Sequence, residues 1–62
     1  MKVWSGIADK YLYVEATGGP ILVLDDFDGK DMWFEMDIRF ENGEEYYAVY
    51  DEEHLRWETG YN

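Results

Sequence analysis

The sequence predicts a small, mostly β domain, formed by an antiparallel sheet of five or six strands that curls into a barrel. Short segments rich in β-branched and aromatic residues recur at close spacing along the chain, which is typical of β proteins. Residues 31–40 alternate apolar and polar side chains with a period of two, as a half-buried strand requires. Asn42-Gly43 follows this segment, and Asn-Gly is a strong signal for a hairpin turn.

The first half of the chain reads as short strands joined by turns. Residues 2–8 predict a first strand, and residues 11–16 predict a second one with alternating side chains. Residues 17–20 (TGGP) predict a loop, because glycine is permissive and proline cannot donate to a β ladder. Residues 21–24 (ILVL) form a continuous apolar run, which predicts a strand buried on both faces at the centre of the core. Residues 25–31 predict a charged loop.

Residues 31–40 and 45–50 predict the central hairpin, closed by a two-residue turn at Asn42-Gly43. The pairs that follow from this turn are Phe40 with Glu45, Ile38 with Tyr47 and Met36 with Val49 on one face, and Arg39 with Tyr46, Asp37 with Ala48 and Glu35 with Tyr50 on the other. The first face is expected to be a wall of the core. The second face carries acids and aromatic rings, so any function is expected there.

Residues 51–54 predict one short helical turn, with Asp51 as the N-cap and two glutamates near the positive end of its dipole. Residues 55–58 then predict a short last strand, in which Leu55 and Trp57 share one face. The alternative is a helix that continues from Asp51 to Glu58.

From Phe40 to Trp57 the predicted order is strand, tight turn, strand, helical turn and strand. This order resembles the closing half of an SH3-like or Tudor-like barrel and covers about a third of the chain. The resemblance implies an SH3-like barrel, and the length of 62 residues with an excess of acids predicts a single small acidic β domain over residues 1–62.

The chain of 62 residues contains no cysteine, so neither a disulfide nor a thiolate ligand is available. Three Trp, six Tyr and three Phe provide bulk for a small core, and a homodimer or a bound partner would add stability. No apolar run approaches the roughly 20 residues of a membrane helix, and the N-terminal segment does not read as a secretory signal. We expect a cytoplasmic protein, located in the host cytoplasm if it is encoded by a phage.

Fifteen Asp and Glu against five Lys and Arg give a formal net charge of -10. This balance argues against direct binding of nucleic acid, which needs basic residues to displace counterions. It favours basic partners, cations or simple solubility. The hydrophobic content of 47% and the strand periodicity argue against disorder.

The chain shows no signature of catalysis. His54 is its one histidine, and Ser5, Thr17 and Thr59 lack the sequence context of an activated nucleophile. Carboxylates are numerous, but a domain of this size rarely forms a cleft deep enough to raise the pKa of one of them selectively. We therefore expect a protein that is not an enzyme and has no cofactor.

Residues 25–31 (DDFDGKD) are the best metal candidate. Aligning Gly29 with the glycine of an EF-hand loop places Asp26, Asp28 and Glu35 at ligand positions. The first ligand position would be Leu24, which cannot coordinate, and an Asp- and Gly-rich turn needs no metal. No metal site is predicted, and calcium binding by this loop is the alternative interpretation.

The acidic strand suggests a function. Residues two apart on a strand lie about 6.6 Å from each other on one face, so Glu35 and Asp37 form a row of carboxylates spaced like neighbouring phosphates of one nucleic-acid strand. In size, charge and lack of cysteine the chain resembles small acidic proteins of phages and mobile elements that inhibit restriction, repair and CRISPR machinery. The resemblance implies a non-catalytic DNA or RNA mimic, of the anti-CRISPR or anti-restriction type, that occupies the basic groove of a nucleic-acid-binding protein.

The predicted contact residues are Glu35, Asp37, Glu44, Glu45, Tyr46, Tyr50 and Trp33, extended by Asp26, Asp28 and Asp31. The alternative function is an SH3-like structural or interaction module that binds a peptide or a second copy of itself through exposed rings. Those rings are Trp33, Tyr46, Tyr50 and Trp57. In a third interpretation the charge serves only to keep a small domain soluble and monomeric.

Overall fold

The computed structural model describes residues 1–25 and 31–60, and these residues form one six-stranded sheet without a helix. The strands are β1 (Lys2–Ser5), β2 (Lys10–Tyr13), β3 (Glu15–Leu24), β4 (Met32–Arg39), β5 (Glu45–Asp51) and β6 (Arg56–Thr59). Their order in the sheet is β2-β1-β6-β5-β4-β3, and all neighbours are antiparallel except β1 and β6, which are parallel. The predicted mostly β class with five or six strands is confirmed. Across these described ranges no helix is long and apolar enough to cross a membrane.

The sheet is open, so the predicted SH3-like barrel is wrong. Strands β2 and β3 are its two edges, and no ladder joins them in the part of the chain that the structure describes. Val14 is the one residue between β2 and β3 along the chain. There the Val14 amide donates to the Met1 carbonyl at 2.9 Å, and the Met1 amino group donates to the Val14 carbonyl at 3.0 Å. Barrel closure would need a ladder along the edges instead.

The central hairpin forms, but its register differs from the predicted one by one residue. The observed pairs are Glu35 with Val49, Met36 with Ala48, Asp37 with Tyr47, Ile38 with Tyr46 and Arg39 with Glu45. The turn has three residues, Glu41 to Gly43, because the Phe40 amide donates to the Glu44 carbonyl and the Gly43 amide donates to the Phe40 carbonyl, at 2.8 and 2.9 Å. Gly43 has a φ of +89°, as in three-residue loops that end in a bulge.

This one-residue difference reverses the faces of β5, since the side-chain period of a strand is two. We call the side of Ile38 and Ala48 the inner face and the side of Asp37 and Tyr47 the outer face. The buried core lies on the inner face and comprises Val3, Val14, Ile38 and Ala48, with Leu12, Phe40, Tyr46 and Trp57 packed against it.

Residues 21–24 are not the centre of the core, contrary to the prediction. They form the second half of the edge strand β3, where Ile21, Leu22 and Leu24 are 59%, 50% and 54% exposed. An uninterrupted apolar run is typical of a central strand, but its position in the sheet is decided by long-range pairing.

The predicted loop at residues 17–20 belongs to β3 as an irregular part of the strand. The register with β4 shifts between Ala16 and Gly18 and again between Gly18 and Ile21. Gly19 has a φ of +90°, and a Cβ atom there would lie 3.1 Å from the Glu35 carbonyl oxygen. Glycine is therefore needed where the bulged strand approaches β4.

The predicted helical turn at residues 51–54 is not seen, nor is the alternative helix to Glu58. Residues 52–55 form a turn between β5 and β6 instead, and Leu55 has a φ of +54°. The predicted last strand exists as β6 (Arg56–Thr59). Leu55 lies in the turn and is 75% exposed, so it does not share a strand face with Trp57.

Candidate protein-binding surface

The structure distributes the predicted contact residues over several surfaces. Trp33, Glu35, Asp37 and Glu45 lie on the outer face, whereas Tyr46 and Tyr50 lie on the inner face. Glu44 precedes β5 in the hairpin turn, Asp31 precedes β4, and Asp26 and Asp28 lie outside the described residues. A two-residue turn would place these acids and tyrosines on one face, and the third turn residue separates them.

Glu35 and Asp37 remain together at the middle of the outer face. They lie on β4, which is hydrogen-bonded to β3 on one side and to β5 on the other, so both carboxylates are attached to an interior strand. Glu35 is half-buried, and its Oε1 accepts a hydrogen bond of 2.9 Å from Trp33 Nε1. This contact fixes the orientation of Glu35 and gives the indole nitrogen a partner.

Asp37 is the exposed member of this pair. Its neighbour on β3 is Gly18 and its neighbour on β5 is Tyr47. A Cβ atom on Gly18 would lie 3.0 Å from the Asp37 carboxylate, so the missing side chain leaves room for that group. The outer face is therefore open to a partner directly at Asp37.

Arg39 limits the negative charge at one end of this row. Its guanidinium binds Glu15 at 3.5 Å and Glu45 at 3.2 Å, across strands β3 and β5. The three side chains are exposed, and such pairs contribute about 0–1 kcal/mol to stability. The predicted contact residue Glu45 is therefore already neutralised in part by an arginine.

The other half of the outer face is an aromatic and cationic cluster that the sequence did not reveal. The guanidinium of Arg56 lies 4.5 Å from the centre of the Trp4 ring and binds Glu58 at 3.2 Å. Trp4 contacts Tyr11 edge to face, and the Lys2 amine lies 4.7 Å from the centre of the Tyr11 ring. These groups come from β1, β2 and β6, and no local sequence pattern indicates that those strands are neighbours.

Tyr47 is also on the outer face, but it packs against the chain itself. Its ring covers the Cα of Gly60, where an added Cβ would overlap the ring, and its hydroxyl donates to the Gly60 carbonyl at 3.2 Å. The Tyr47 ring therefore packs against the residue that follows β6, and this contact covers part of the ring.

The turn after β5 gathers Asp51, Glu53 and His54. Asp51 Oδ1 accepts from the amides of Glu53 and His54 at 2.9 and 3.3 Å, and Asp51 Oδ2 lies 2.7 Å from His54 Nδ1. These contacts lower the pKa of Asp51, mainly through the side-chain hydrogen bond with His54. The three side chains offer ligand atoms within 4.8 Å of one another, a grouping that exposed acids often form without a metal.

Further acids lie at both ends of the sheet. The β3–β4 connection and the β5–β6 turn are at the same end, because β4 and β5 are antiparallel. That end carries Asp25, Asp31, Asp51, Glu52 and Glu53, and the opposite end carries Asp9, Glu41 and Glu44. The negative charge thus surrounds the sheet and includes the Glu35–Asp37 row.

Comparison of the chain with protein-family models, with curated proteins and with solved structures finds no match. The function is therefore inferred from the charges and surfaces of this chain.

Proposed function

We propose that this protein is a non-catalytic acidic binding protein that inhibits a nucleic-acid-handling protein by occupying its basic groove. The observation that carries the proposal is the formal net charge of -10 on 62 residues. Arg39 and Arg56, which this net charge already includes, are next to Glu15, Glu45 and Glu58 and form no separate positive patch. A field of one sign attracts a basic partner and accelerates association.

The Glu35–Asp37 row is the part of this surface that best matches a nucleic-acid strand. Its two carboxylates are on one face of an interior strand, with a step of about 6.6 Å, and ladders on both sides hold that strand in place. Pre-organised charges lose little conformational freedom on binding, which favours affinity. Asp37 would contact the basic partner directly, and Glu35 would do so from the position set by Trp33.

The alternative function, a module that binds through exposed rings, has less support. Tyr46 and Trp57 pack against the core cluster, and Tyr50 contacts Trp57 edge to face at 5.2 Å between ring centres. Trp33 lies on the other face of the sheet. The four rings thus do not offer one common aromatic surface.

The proposal is tested with a basic nucleic-acid-binding protein recovered on the immobilised chain at low salt. Its affinity should fall at least about tenfold between about 50 and about 200 mM salt, because the contact consists of charges. The nucleic acid of that partner should compete with the chain for the same site. An affinity that does not change with salt, or simultaneous binding of chain and nucleic acid, would contradict the proposal.

A matched pair of charge reversals separates the row from the general charge. Asp37→Lys and Glu41→Lys change the net charge equally, but only Asp37 belongs to the row on β4, whereas Glu41 lies in a turn. If the row makes the contact, Asp37→Lys should weaken binding at least about tenfold more than Glu41→Lys. Equal effects would reduce the proposal to unspecific attraction.

A further inference from the structure

The second half of β3 is an apolar sheet edge that lacks the features which usually prevent pairing with another strand. Residues 17–24 contain no charged side chain, and Ile21 to Leu24 pair regularly with Glu35 to Met32 of β4. Sheet edges are usually protected by charges, prolines or bulges. The first half of β3 has both shifts of register and Pro20, and the opposite edge, β2, is short and begins with Lys10. Residues 21–24 have none of these features.

The backbone of this edge is oriented for pairing. The Asp25 amide donates to the Asp31 carbonyl at 2.9 Å, in continuation of the register that pairs Leu24 with Met32. Because hydrogen-bonded and non-hydrogen-bonded pairs alternate in an antiparallel ladder, the N–H and C=O groups of Leu22 and Leu24 point away from β4. Among residues 1–25 and 31–60, no strand pairs with that side of β3.

An apolar surface adjoins the edge on the inner face. We call Leu22, Leu24, Met32 and Phe34 the apolar rim; all four are exposed, although they continue the face on which Met36 and Ile38 are buried. A strand added beside β3 would place every second side chain next to this rim, since successive side chains alternate between faces. The edge would then supply main-chain hydrogen bonds and the rim would supply side-chain contacts.

The charges around the edge select the partner. Asp25 follows β3 and Asp31 precedes β4. Glu35 lies opposite Ile21 on the outer face, and the turn with Asp51 and Glu53 is at the same end of the sheet as Asp25 and Asp31. Among the described basic residues, Lys2 and Arg56 are at this end, on β1 and β6. The Lys2 amine lies over the Tyr11 ring, and Arg56 stacks on Trp4 and binds Glu58. These acids favour a cationic segment and repel a second copy of a chain with a net charge of -10.

We propose that the outer edge of β3 binds an extended segment of a basic protein, in which apolar side chains facing the rim alternate with Lys or Arg, as an added strand. This inference rests on the proposed function, because it concerns how the same class of partner is held. The two proposals use different surfaces, because binding at the Glu35–Asp37 row does not require an added strand. Charge attracts the segment, and pairing with Leu22 and Leu24 gives it one register.

The probe is a ten-residue peptide that alternates valine and lysine. Amide hydrogen exchange of the full chain is measured by NMR with and without this peptide. We expect protection of the Leu22 and Leu24 amides, which point outward at the β3 edge. The Tyr11 and Tyr13 amides, which point outward at the β2 edge by the same alternation, should stay unprotected.

The control peptide has the same charge and carries proline at two central valine positions, so it cannot donate there. It should give no protection at Leu22 and Leu24. If both peptides shift signals near the acids without protecting these amides, binding is electrostatic only, which overturns strand addition and leaves the proposed function intact.

Two variants at one position separate the backbone from the side chain. Leu24→Ala keeps the outward N–H, and Leu24→Pro removes it without breaking a bond to β4. Leu24→Pro should bind the peptide about fivefold more weakly than Leu24→Ala, the effect of one hydrogen bond of about 1 kcal/mol. Tyr13→Pro, the matched change at the other edge, should leave peptide binding unchanged, and unaltered amide signals of β4 and β5 show that each variant folds. Equal binding by the two Leu24 variants would refute the backbone role.

A second copy of the chain is the competing occupant. If the Leu22 and Leu24 amides are protected without peptide, and sedimentation shows a dimer whose population rises with protein concentration, the edge pairs with itself and the proposal is wrong. A monomer at the same concentration, with protection that depends on the peptide, supports it.

Discussion

At the scale of single residues, Asp51 shows how a cap can be predicted while the element it caps is not. The sequence placed Asp51 as an N-cap, and its carboxylate does accept hydrogen bonds from the amides of Glu53 and His54. The same bonds occur in Asx turns, which require no helix. The residue type therefore indicates the hydrogen bonds. The pairing of β6 with β5 makes the segment between them a hairpin turn and not a helix.

The lowered pKa of Asp51 predicts a pH dependence of stability. The folded chain holds this pKa below the ordinary value of 3.8, chiefly through the hydrogen bond with His54. A carboxyl whose pKa is lower in the folded state stabilises the fold above its unfolded pKa, and this contribution is lost as the pH falls through the folded value. Asp51→Asn should therefore show a smaller loss of stability than the wild type when the pH falls below about 4.

Urea unfolding at neutral and acidic pH measures this difference. Glu52→Gln is the control, because this substitution removes an equal charge from the same turn. A wild type and an Asp51→Asn variant with identical pH profiles would show that the turn does not depend on this carboxylate.

At the scale of elements, the strands could be predicted from local patterns, whereas their register could not. Alternation at residues 31–40 depends only on the chain itself, and it identified β4 correctly. The Asn-Gly pair gave the position of the turn, but the hairpin uses Glu41 as a third turn residue, which moves Ala48 to the inner face and Val49 to the outer one. Turn length depends on the packing of both strands, which a local pattern does not contain.

Lysine substitutions at these neighbouring positions test the observed register. Ala48 is fully buried among the core residues, so Ala48→Lys should cost more than about 4 kcal/mol and abolish folding. Val49 lies between Glu35 and Glu58 on the outer face, so Val49→Lys should change stability by less than about 1 kcal/mol. Thermal unfolding followed by circular dichroism measures both, and the two-residue turn would require the opposite order.

At the scale of the whole molecule, repulsion between the acids opposes the stabilisation that a small core provides. The buried apolar residues in the described ranges are Val3, Val14, Met36, Ile38 and Ala48. Acids surround this sheet, and a net charge far from zero destabilises a compact state through self-repulsion. The stability of the folded chain is therefore expected to depend on the salt concentration.

Added salt should therefore raise the thermal midpoint of the chain, because screening weakens the repulsion between carboxylates. We expect an increase of several degrees between about 10 mM and about 500 mM sodium chloride, which is on the order of 1 kcal/mol for a domain of this size. A variant with Glu41→Gln, Glu44→Gln and Glu52→Gln should start from a higher midpoint and respond less. A midpoint that falls with salt would mean that the ion pairs of Arg39 and Arg56 outweigh the repulsion.

The sequence by itself determined the β class, the strand at residues 31–40, the site of the hairpin turn and the excess of negative charge, since each is a property of composition or of near neighbours. Only the tertiary structure decided which side chains share a face and which strands lie at the edges. It separated Tyr46 and Tyr50 from Glu35 and Asp37, and it placed Ile21–Leu24 at an edge of an open sheet. The physical reason is that register and strand order are fixed by pairing between residues distant in the chain.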